Sequence, residues 1–193
     1  MKIRDILAEG KPTLSFEVFP QKTEDAYDSV EKAAAEIAKL KPSFMSVTYG
    51  AGGGTSDYTV GIASAIKEEY GVTPLAHLTC VSSTREKVHH VLGELKERGI
   101  ENVLDPARGY PPGRPVRQGE YQLCLKLIWE IKNGTRVISA SGPACYPEGH
   151  VESSNKSVDI DYLKQKVEAG CDFVTTQMFF DNSILLQLSV PHP

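Results

Sequence analysis

The chain has 193 residues, of which 40% are hydrophobic and 24% charged, and its formal net charge is −4. This composition is typical of a globular domain with a substantial core, and the negative charge argues against a nucleic-acid partner. No apolar run is long enough to span a bilayer, so no membrane is predicted. The N-terminus lacks the apolar core of a signal peptide, and the four cysteines are scattered without a Cys-x-x-Cys pair. We therefore predict a cytoplasmic protein with reduced thiols and no metal site.

Six short apolar segments alternate with five segments of helical periodicity along the chain. The predicted strands span residues 14–20, 43–49, 74–81, 100–104, 136–140 and 171–180. The predicted helices span residues 23–40, 57–70, 83–98, 118–132 and 157–169. Strand and helix alternating at roughly 30 residues favour βα units on a parallel sheet.

Two architectures fit this alternation, an open doubly wound sheet and a (β/α)8 TIM barrel. Doubly wound nucleotide-binding domains usually carry a Gly-rich turn after the first strand, whereas this chain has Pro20-Gln21-Lys22 there. The barrel is favoured, but a complete one needs eight units and about 250 residues. We therefore predict an incomplete TIM-barrel domain of six βα units over residues 1–182. Residues 183–193 lack the charge pattern of a surface helix and are predicted to be an aberrant C-terminal tail.

The first predicted strand carries a single carboxylate, Glu17, in an otherwise largely apolar run. Side chains on a strand alternate between its two faces, and both faces of this strand are largely apolar, as in a strand buried on both sides. Glu17 is therefore predicted to point at an interior, where a carboxylate is costly unless it is paired or used. A structural carboxylate held by a cation and a functional one both fit this position.

Polar side chains recur at the predicted carboxyl ends of the strands, where TIM barrels place their active sites. They are Glu17, Thr48, His77, Tyr146, His150 and Gln177. Each also has a structural interpretation. A histidine within an apolar strand, such as His77, is usually a core residue. Tyr146 and His150 lie on a predicted turn, and turn residues are usually on the surface. The Gly50–Gly54 segment can be a flexible turn, or a phosphate cradle in an unrelated barrel enzyme.

Six sequence blocks, taken together, resemble the methylenetetrahydrofolate reductase family in order and spacing. They are Ser15–Pro20, Val47–Gly52, His77–Cys80, Tyr146–His150, Asp159–Gly170 and Thr176–Asp181. The resemblance implies a (β/α)8 barrel that binds FAD. It also implies a ping-pong reaction in which NADH or NADPH reduces FAD and 5,10-methylenetetrahydrofolate then accepts the hydride. The product, 5-methyltetrahydrofolate, feeds methionine synthesis.

The resemblance also implies roles for individual residues. Glu17 stands at the position of the general acid that protonates a poorly basic folate nitrogen, which requires a carboxyl still protonated near neutral pH. Gln177 stands at the position that hydrogen-bonds the pterin. The positions that contact FAD correspond to Thr48, His77, Tyr146, His150, Asp159 and Lys166.

The loop after the fourth predicted strand departs from the family pattern. The family has Leu-Arg-Gly-Asp there, and its Arg and Asp contact the flavin, whereas this chain reads Asp105-Pro106-Ala107-Arg108-Gly109. Arg108 is the candidate replacement for the family's Arg. A one-nucleotide shift of a back-translated version of this loop restores Leu-Arg-Gly-Asp, which suggests a local frame slip. Resequencing the gene across the loop would test this hypothesis, and an uninterrupted reading frame would reject it.

Two functional hypotheses follow from the resemblance. The first is a flavin-dependent reductase, with a folate and a nicotinamide dinucleotide as its small-molecule partners. The second is a truncated, catalytically inactive fragment of that enzyme, because a six-stranded barrel leaves strand edges and apolar faces exposed. The simpler bacterial type of the family implies NADH, and assembly into a homo-oligomer remains open.

Overall fold

The computed structural model describes residues 1–20, 24–49, 56–79, 84–105, 124–134, 140–150, 153 and 155–189. Within these ranges the strands are β1 (Ser15–Val18), β2 (Phe44–Val47), β3 (Pro74–His77), β4 (Asn102–Asp105), β5 (Ala140–Cys145) and β6 (Thr175–Thr176). The helices are α1 (Ile3–Ala8), α2 (Glu24–Ala38), α3 (Ser56–Glu68), α4 (Arg85–Glu97), α5 (Cys124–Gly134), α6 (Lys156–Glu168) and α7 (Asn182–Ser189).

The strands form one parallel sheet in which every strand lies beside its neighbour in sequence, in the order β1-β2-β3-β4-β5-β6. This sequential order is that of a (β/α)8 barrel and not of a doubly wound sheet. Among the described strands, β1 and β6 each pair on one side only, so the barrel does not close. The prediction of an incomplete TIM barrel is confirmed.

Strand residues alternate between two apolar layers, as the pleat requires. One face, which includes Val18, Met45, Val47 and Ala76, packs with apolar residues of the flanking helices in the main core. On the other face, Leu75 and Leu104 pack around Ile3 of α1. Helix α1 therefore fills the barrel interior, next to the amino ends of the strands.

Polar contacts fasten the amino ends of the strands. The side-chain Oδ1 of Asn102 accepts a hydrogen bond from the backbone N–H of Ile3 at 2.9 Å. Its Nδ2 donates to the carbonyls of Met1 and Pro74, at 3.0 and 3.1 Å. Nearby in the fold, the carboxylate of Asp172 contacts the guanidinium of Arg4 at 3.0 Å and the ammonium of Lys132 at 2.7 Å.

The helix boundaries follow local signals in the sequence. Thr84 caps α4 by accepting a hydrogen bond from the backbone N–H of Lys87, and Asn155 caps α6 by accepting one from Val158. Gly99 follows α4 with a φ of 64°, a conformation that glycine adopts without steric cost. These signals explain why helix positions were predicted to within a few residues where they can be compared.

Strand positions were predicted less well in the second half of the chain. The fifth strand was predicted at 136–140, of which residues 136–139 lie outside the described residues. Strand β5 spans Ala140–Cys145, because pairing with β4 overrides the turn signal of Gly142 and Pro143. The sixth was predicted at 171–180, but only two residues pair with β5. At the predicted tail, the structure forms helix α7 over Asn182–Ser189. Helix α1 was not predicted.

Candidate active site

The carboxyl ends of β1, β2 and β3 bring three polar side chains together. Glu17 of β1 lies in register with Ser46 of β2. The hydroxyl of Ser46 donates a hydrogen bond to Oε2 of Glu17 at 3.2 Å. The Nε2 atom of His77, on β3, lies 3.5 Å from the same carboxylate oxygen. Two of these residues were predicted site residues, and the sheet register places them across one intervening strand.

Burial determines the charge state of His77. Its side chain is 7% exposed, and burial lowers its pKa to about 4 because a cation is poorly solvated there. The imidazole is therefore neutral near pH 7, and its contact with Glu17 is not an ion pair. A neutral imidazole at this position places no positive charge beside the carboxyl group of Glu17.

Glu17 itself is less buried than the sequence predicted. Its side chain is 58% exposed, and the neighbouring Phe19 is 59% exposed. The physical reason is the position of β1 at an edge of the sheet, where only β2 covers it. The prediction of an interior carboxylate was wrong for this structure. The proximity of Glu17 to polar side chains on two neighbouring strands is its distinctive feature.

Two buried polar atoms near this carboxylate lack a hydrogen-bond partner in the described part of the chain. They are Oγ1 of Thr48 and Nε2 of His77. The backbone carbonyl of Thr48 accepts a hydrogen bond from the hydroxyl of Thr59 at 2.9 Å. The Thr48 atom that lacks a partner among the described residues is therefore its side-chain hydroxyl. Because buried polar groups are almost always paired in native proteins, such atoms at strand ends indicate a ligand-binding position.

A second group of predicted residues lies around the carboxyl end of β5, with Asp159 in the first turn of α6 and Lys166 in its last turn. The rings of Tyr146 and His150 pack edge to face, with their centroids 4.5 Å apart. The backbone N–H of His150 donates to Oδ2 of Asp159 at 3.0 Å. The ammonium of Lys166 donates to the carbonyl of Ala144 at 3.3 Å. The structure therefore unites four of the six predicted FAD-contacting residues at one location.

The thiol of Cys145 is sensitive to the charges of this second group. Burial raises the pKa of Cys145, the ammonium of Lys166 opposes that shift, and the carboxylate of Asp159 adds to it. Both charged side chains are partly buried beside the end of β5. The location therefore offers a cation, a carboxylate and two aromatic rings to a ligand.

The remaining predicted residues are either exposed or outside the described residues. The backbone N–H of Gln177 donates to the carbonyl of Cys145 at 2.7 Å, but its side chain is exposed and not part of a buried strand as predicted. Arg108 and the Gly50–Gly54 segment lie outside the described residues. Ser46 was not predicted. Its register with Glu17 was the available signal, but it could be used only once β1 and β2 were known to pair in parallel.

Comparison with solved structures shows the fold alone. Oxaloacetate acetylhydrolase aligns with a TM-score of 0.68 at 12% identity, over 97% of this chain and 66% of the other. A putative phosphonomutase from Burkholderia cenocepacia aligns with a TM-score of 0.65 at 11% identity, over 96% and 78%. Their likeness supports the TIM-barrel assignment.

The curated relatives share a higher sequence identity with this chain than the solved structures do. The Arabidopsis thaliana protein "Methylenetetrahydrofolate reductase (NADH) 1" is 34% identical over 96% of this chain and 33% of its own length. The "5,10-methylenetetrahydrofolate reductase" of Pectobacterium carotovorum is 36% identical over 90% of this chain and 56% of its own. That of Escherichia coli is 31% identical over 90% and 57%. The chain thus spans about a third of the plant relatives and just over half of the bacterial ones.

The sequence profile of the family "Methylenetetrahydrofolate reductase" matches residues 2–190, nearly the full chain. This range contains both groups of polar side chains at the strand ends. It also contains all six described strands. The chain belongs to the methylenetetrahydrofolate reductase family.

Proposed function

We propose that this protein carries out FAD-dependent reduction of 5,10-methylenetetrahydrofolate to 5-methyltetrahydrofolate, with NADH or NADPH as the reductant. The observation that carries the proposal is the profile match over residues 2–190. The convergence of Glu17, Ser46 and His77 at the strand ends adds chemical support. The relatives' own names state the reductase activity and, for the plant proteins, NADH.

The residues at the strand ends fit FAD as the implied cofactor. The buried Oγ1 of Thr48 and Nε2 of His77 make no hydrogen bond in the described part of the chain, so a flavin can satisfy them without breaking one. Lys166, in the last turn of α6 and in contact with the carbonyl of Ala144, supplies a cation suited to a diphosphate. When bound, FAD supplies the hydride.

Glu17 acts as the general acid in the proposed reaction. The one-carbon bridge of the substrate opens when one of its nitrogens is protonated, because a protonated nitrogen is the better leaving group. The proton passes from the carboxyl of Glu17 to that nitrogen, the carbon–nitrogen bond breaks, and Glu17 is left as a carboxylate. The resulting iminium carbon accepts the hydride.

Separate measurement of the two half-reactions tests the proposal. In Glu17→Gln, folate reduction should fall by about 100-fold to 10,000-fold, the range ascribed to a positioned general acid. Reduction of the flavin by NADH should stay close to that of the unsubstituted protein, because that step needs no proton from Glu17. An equal loss in both half-reactions would reject Glu17 as the folate-side acid.

The exposed sheet edges favour a second candidate, a chain with the family fold but no turnover. Phe19 beside β1 and Phe180 beyond β6 are 59% and 87% exposed, and Met178 is also exposed. Such surfaces promote aggregation. The visible spectrum and size-exclusion profile of the purified protein discriminate between the candidates. A yellow, monodisperse protein supports the reductase, and a colourless aggregate supports the inactive chain.

A further inference from the structure

The carboxylate of Glu17 accepts a hydrogen bond from one buried side chain. Oε2 accepts the hydrogen bond from Ser46 at 3.2 Å, and Nε2 of His77 lies 3.5 Å from that same oxygen, beyond ordinary hydrogen-bond length. The two contacts fall on one oxygen. Oε1 has neither of them and is the oxygen left for the substrate.

Because the Glu17 side chain is exposed, this single contact matters more for the orientation of its carboxyl group. A glutamate side chain that is 58% exposed samples several rotamers unless a neighbour restrains it. Ser46 is only 7% exposed and sits on β2, which is paired on both sides, so its own position is fixed by the sheet. The rigid strand therefore restrains a carboxyl group carried by the edge strand.

We propose that Ser46 is the positioning residue for Glu17, holding Oε2 so that the proton of the carboxylic acid resides on Oε1 and faces the substrate. A hydroxyl that donates to Oε2 makes this oxygen the acceptor of the protonated carboxyl, and the acidic proton is then carried by the other oxygen. Ser46 does not touch the substrate in this role. The inference rests on the proposed function, because it concerns the acid of that reaction.

Three single variants test the inference. Ser46→Ala removes the hydroxyl, Ser46→Thr keeps it on a β-branched residue that suits a strand, and Ser15→Ala removes a hydroxyl from the same face of β1 as a matched control. Folate reduction should fall about tenfold in Ser46→Ala, the effect of losing one hydrogen bond to a charged or reacting group. It should recover to within about threefold in Ser46→Thr and be unchanged in Ser15→Ala.

A double variant and a spectroscopic measurement complete the test. In Glu17→Gln, adding Ser46→Ala should cause no further loss, because the two residues act as one unit. The carboxyl ¹³C NMR resonance of Glu17, assigned by its disappearance in Glu17→Gln, should move in Ser46→Ala and stay in place in Ser46→Thr and Ser15→Ala. This measurement requires only the folded chain and not turnover.

The outcomes separate the inference from the function on which it rests. An unmoved Glu17 resonance in Ser46→Ala overturns the inference whatever the activity. A moved resonance with undiminished folate reduction overturns it too, because the contact then has no effect on the reaction. Absence of folate reduction in the unsubstituted chain overturns the proposed function instead, and full folate reduction in Glu17→Gln rejects Glu17 as its acid. In both cases the resonance still decides whether Ser46 holds the carboxyl.

Discussion

The two ends of the parallel sheet differ in whether their buried polar side chains are hydrogen-bonded. At the amino end, Asn102 makes three hydrogen bonds, to Ile3, Met1 and Pro74. At the carboxyl end, Oγ1 of Thr48 and Nε2 of His77 are buried without a partner among the described residues. The same sheet thus carries a satisfied network at one end and unsatisfied atoms at the other.

This difference distinguishes groups that stabilise the fold from groups that are available to bind a ligand. Satisfied buried hydrogen bonds stabilise a fold, whereas an unsatisfied buried atom costs free energy and is retained where a ligand can supply the partner. In (β/α)8 barrels the amino face serves stability and the carboxyl face serves catalysis. Removing a hydrogen-bonded buried group should therefore destabilise the chain, whereas removing an unsatisfied one at the carboxyl end should stabilise it.

The largest effect on stability is expected from Asn102→Ala. This change leaves one backbone N–H and two backbone carbonyls without their partner. We expect the free energy of unfolding to fall by about 4 kcal/mol, from three lost hydrogen bonds with buried members. Urea unfolding followed by circular dichroism measures this loss.

Glu101→Ala provides the matched control at the same end of the sheet. Glu101 pairs with the N-terminal ammonium of Met1 at 2.9 Å, next to Asn102, but the pair is open to solvent. Its loss should cost less than about 1 kcal/mol. Equal losses in the two variants would show that the amino-end network is not what fastens α1.

The next effect is the pH dependence that His77 contributes at the carboxyl end. Burial lowers the pKa of His77 to about 4 in the folded chain, against about 6.5 for an unfolded histidine. The unfolded chain therefore binds more protons between these values. The stabilising contribution is complete above about pH 6.5, is lost as the pH falls toward 4, and totals about 3 kcal/mol.

His77→Gln should remove this part of the pH dependence, since glutamine does not titrate. His90→Gln is the control, because His90 lies on the solvent side of α4 with its side chain 73% exposed. Unfolding free energies measured from pH 7 to pH 4 should flatten in the first variant only. A slope unchanged by His77→Gln would refute the assignment of a buried neutral imidazole.

The smallest change in stability is expected from Thr48→Val, and the direction of that change is its most informative result. Removing a buried hydroxyl that lacks a partner should stabilise the flavin-free chain by about 1 kcal/mol. The same change should weaken flavin binding about fivefold to tenfold, because a hydrogen bond to the cofactor is lost. Thermal melts and flavin titrations measure the two effects.

Thr59→Val is the opposite-signed control. The hydroxyl of Thr59 donates to the carbonyl of Thr48 at 2.9 Å and is buried, so its removal should destabilise the chain by about 1 kcal/mol. Destabilisation of the flavin-free chain by both valine substitutions would remove the contrast between the two ends of the sheet.

Local signals allowed much of the fold to be predicted from the sequence. Helix starts at Thr84 and near Asn155 are determined by capping groups within three residues, and Gly99 marks the end of α4. Strands β1 to β4 combine apolar periodicity with turn residues at their ends. Strand β5 extends beyond the predicted segment because pairing with β4 overrides the turn signal of Gly142 and Pro143.

The site was predicted at two levels of detail. Sequence blocks identified Glu17, His77 and the four residues near β5, because these residue types stand at family positions. The Tyr146–His150 packing and the His150–Asp159 hydrogen bond confirm that those residues meet. Ser46 was missed, since a serine within a strand has no signal of its own until its neighbour across the sheet is known.

The sequence by itself determined the family, the βα alternation and the identity of the candidate acid, because each depends on residues close together in the chain. Only the tertiary structure decided that Glu17 is exposed and not interior, and that Ser46 contacts its carboxyl. Both depend on which strands lie beside β1. Burial and contact at a strand are set by its neighbours across the sheet, and Ser46 and His77 are 29 and 60 positions from Glu17 along the chain.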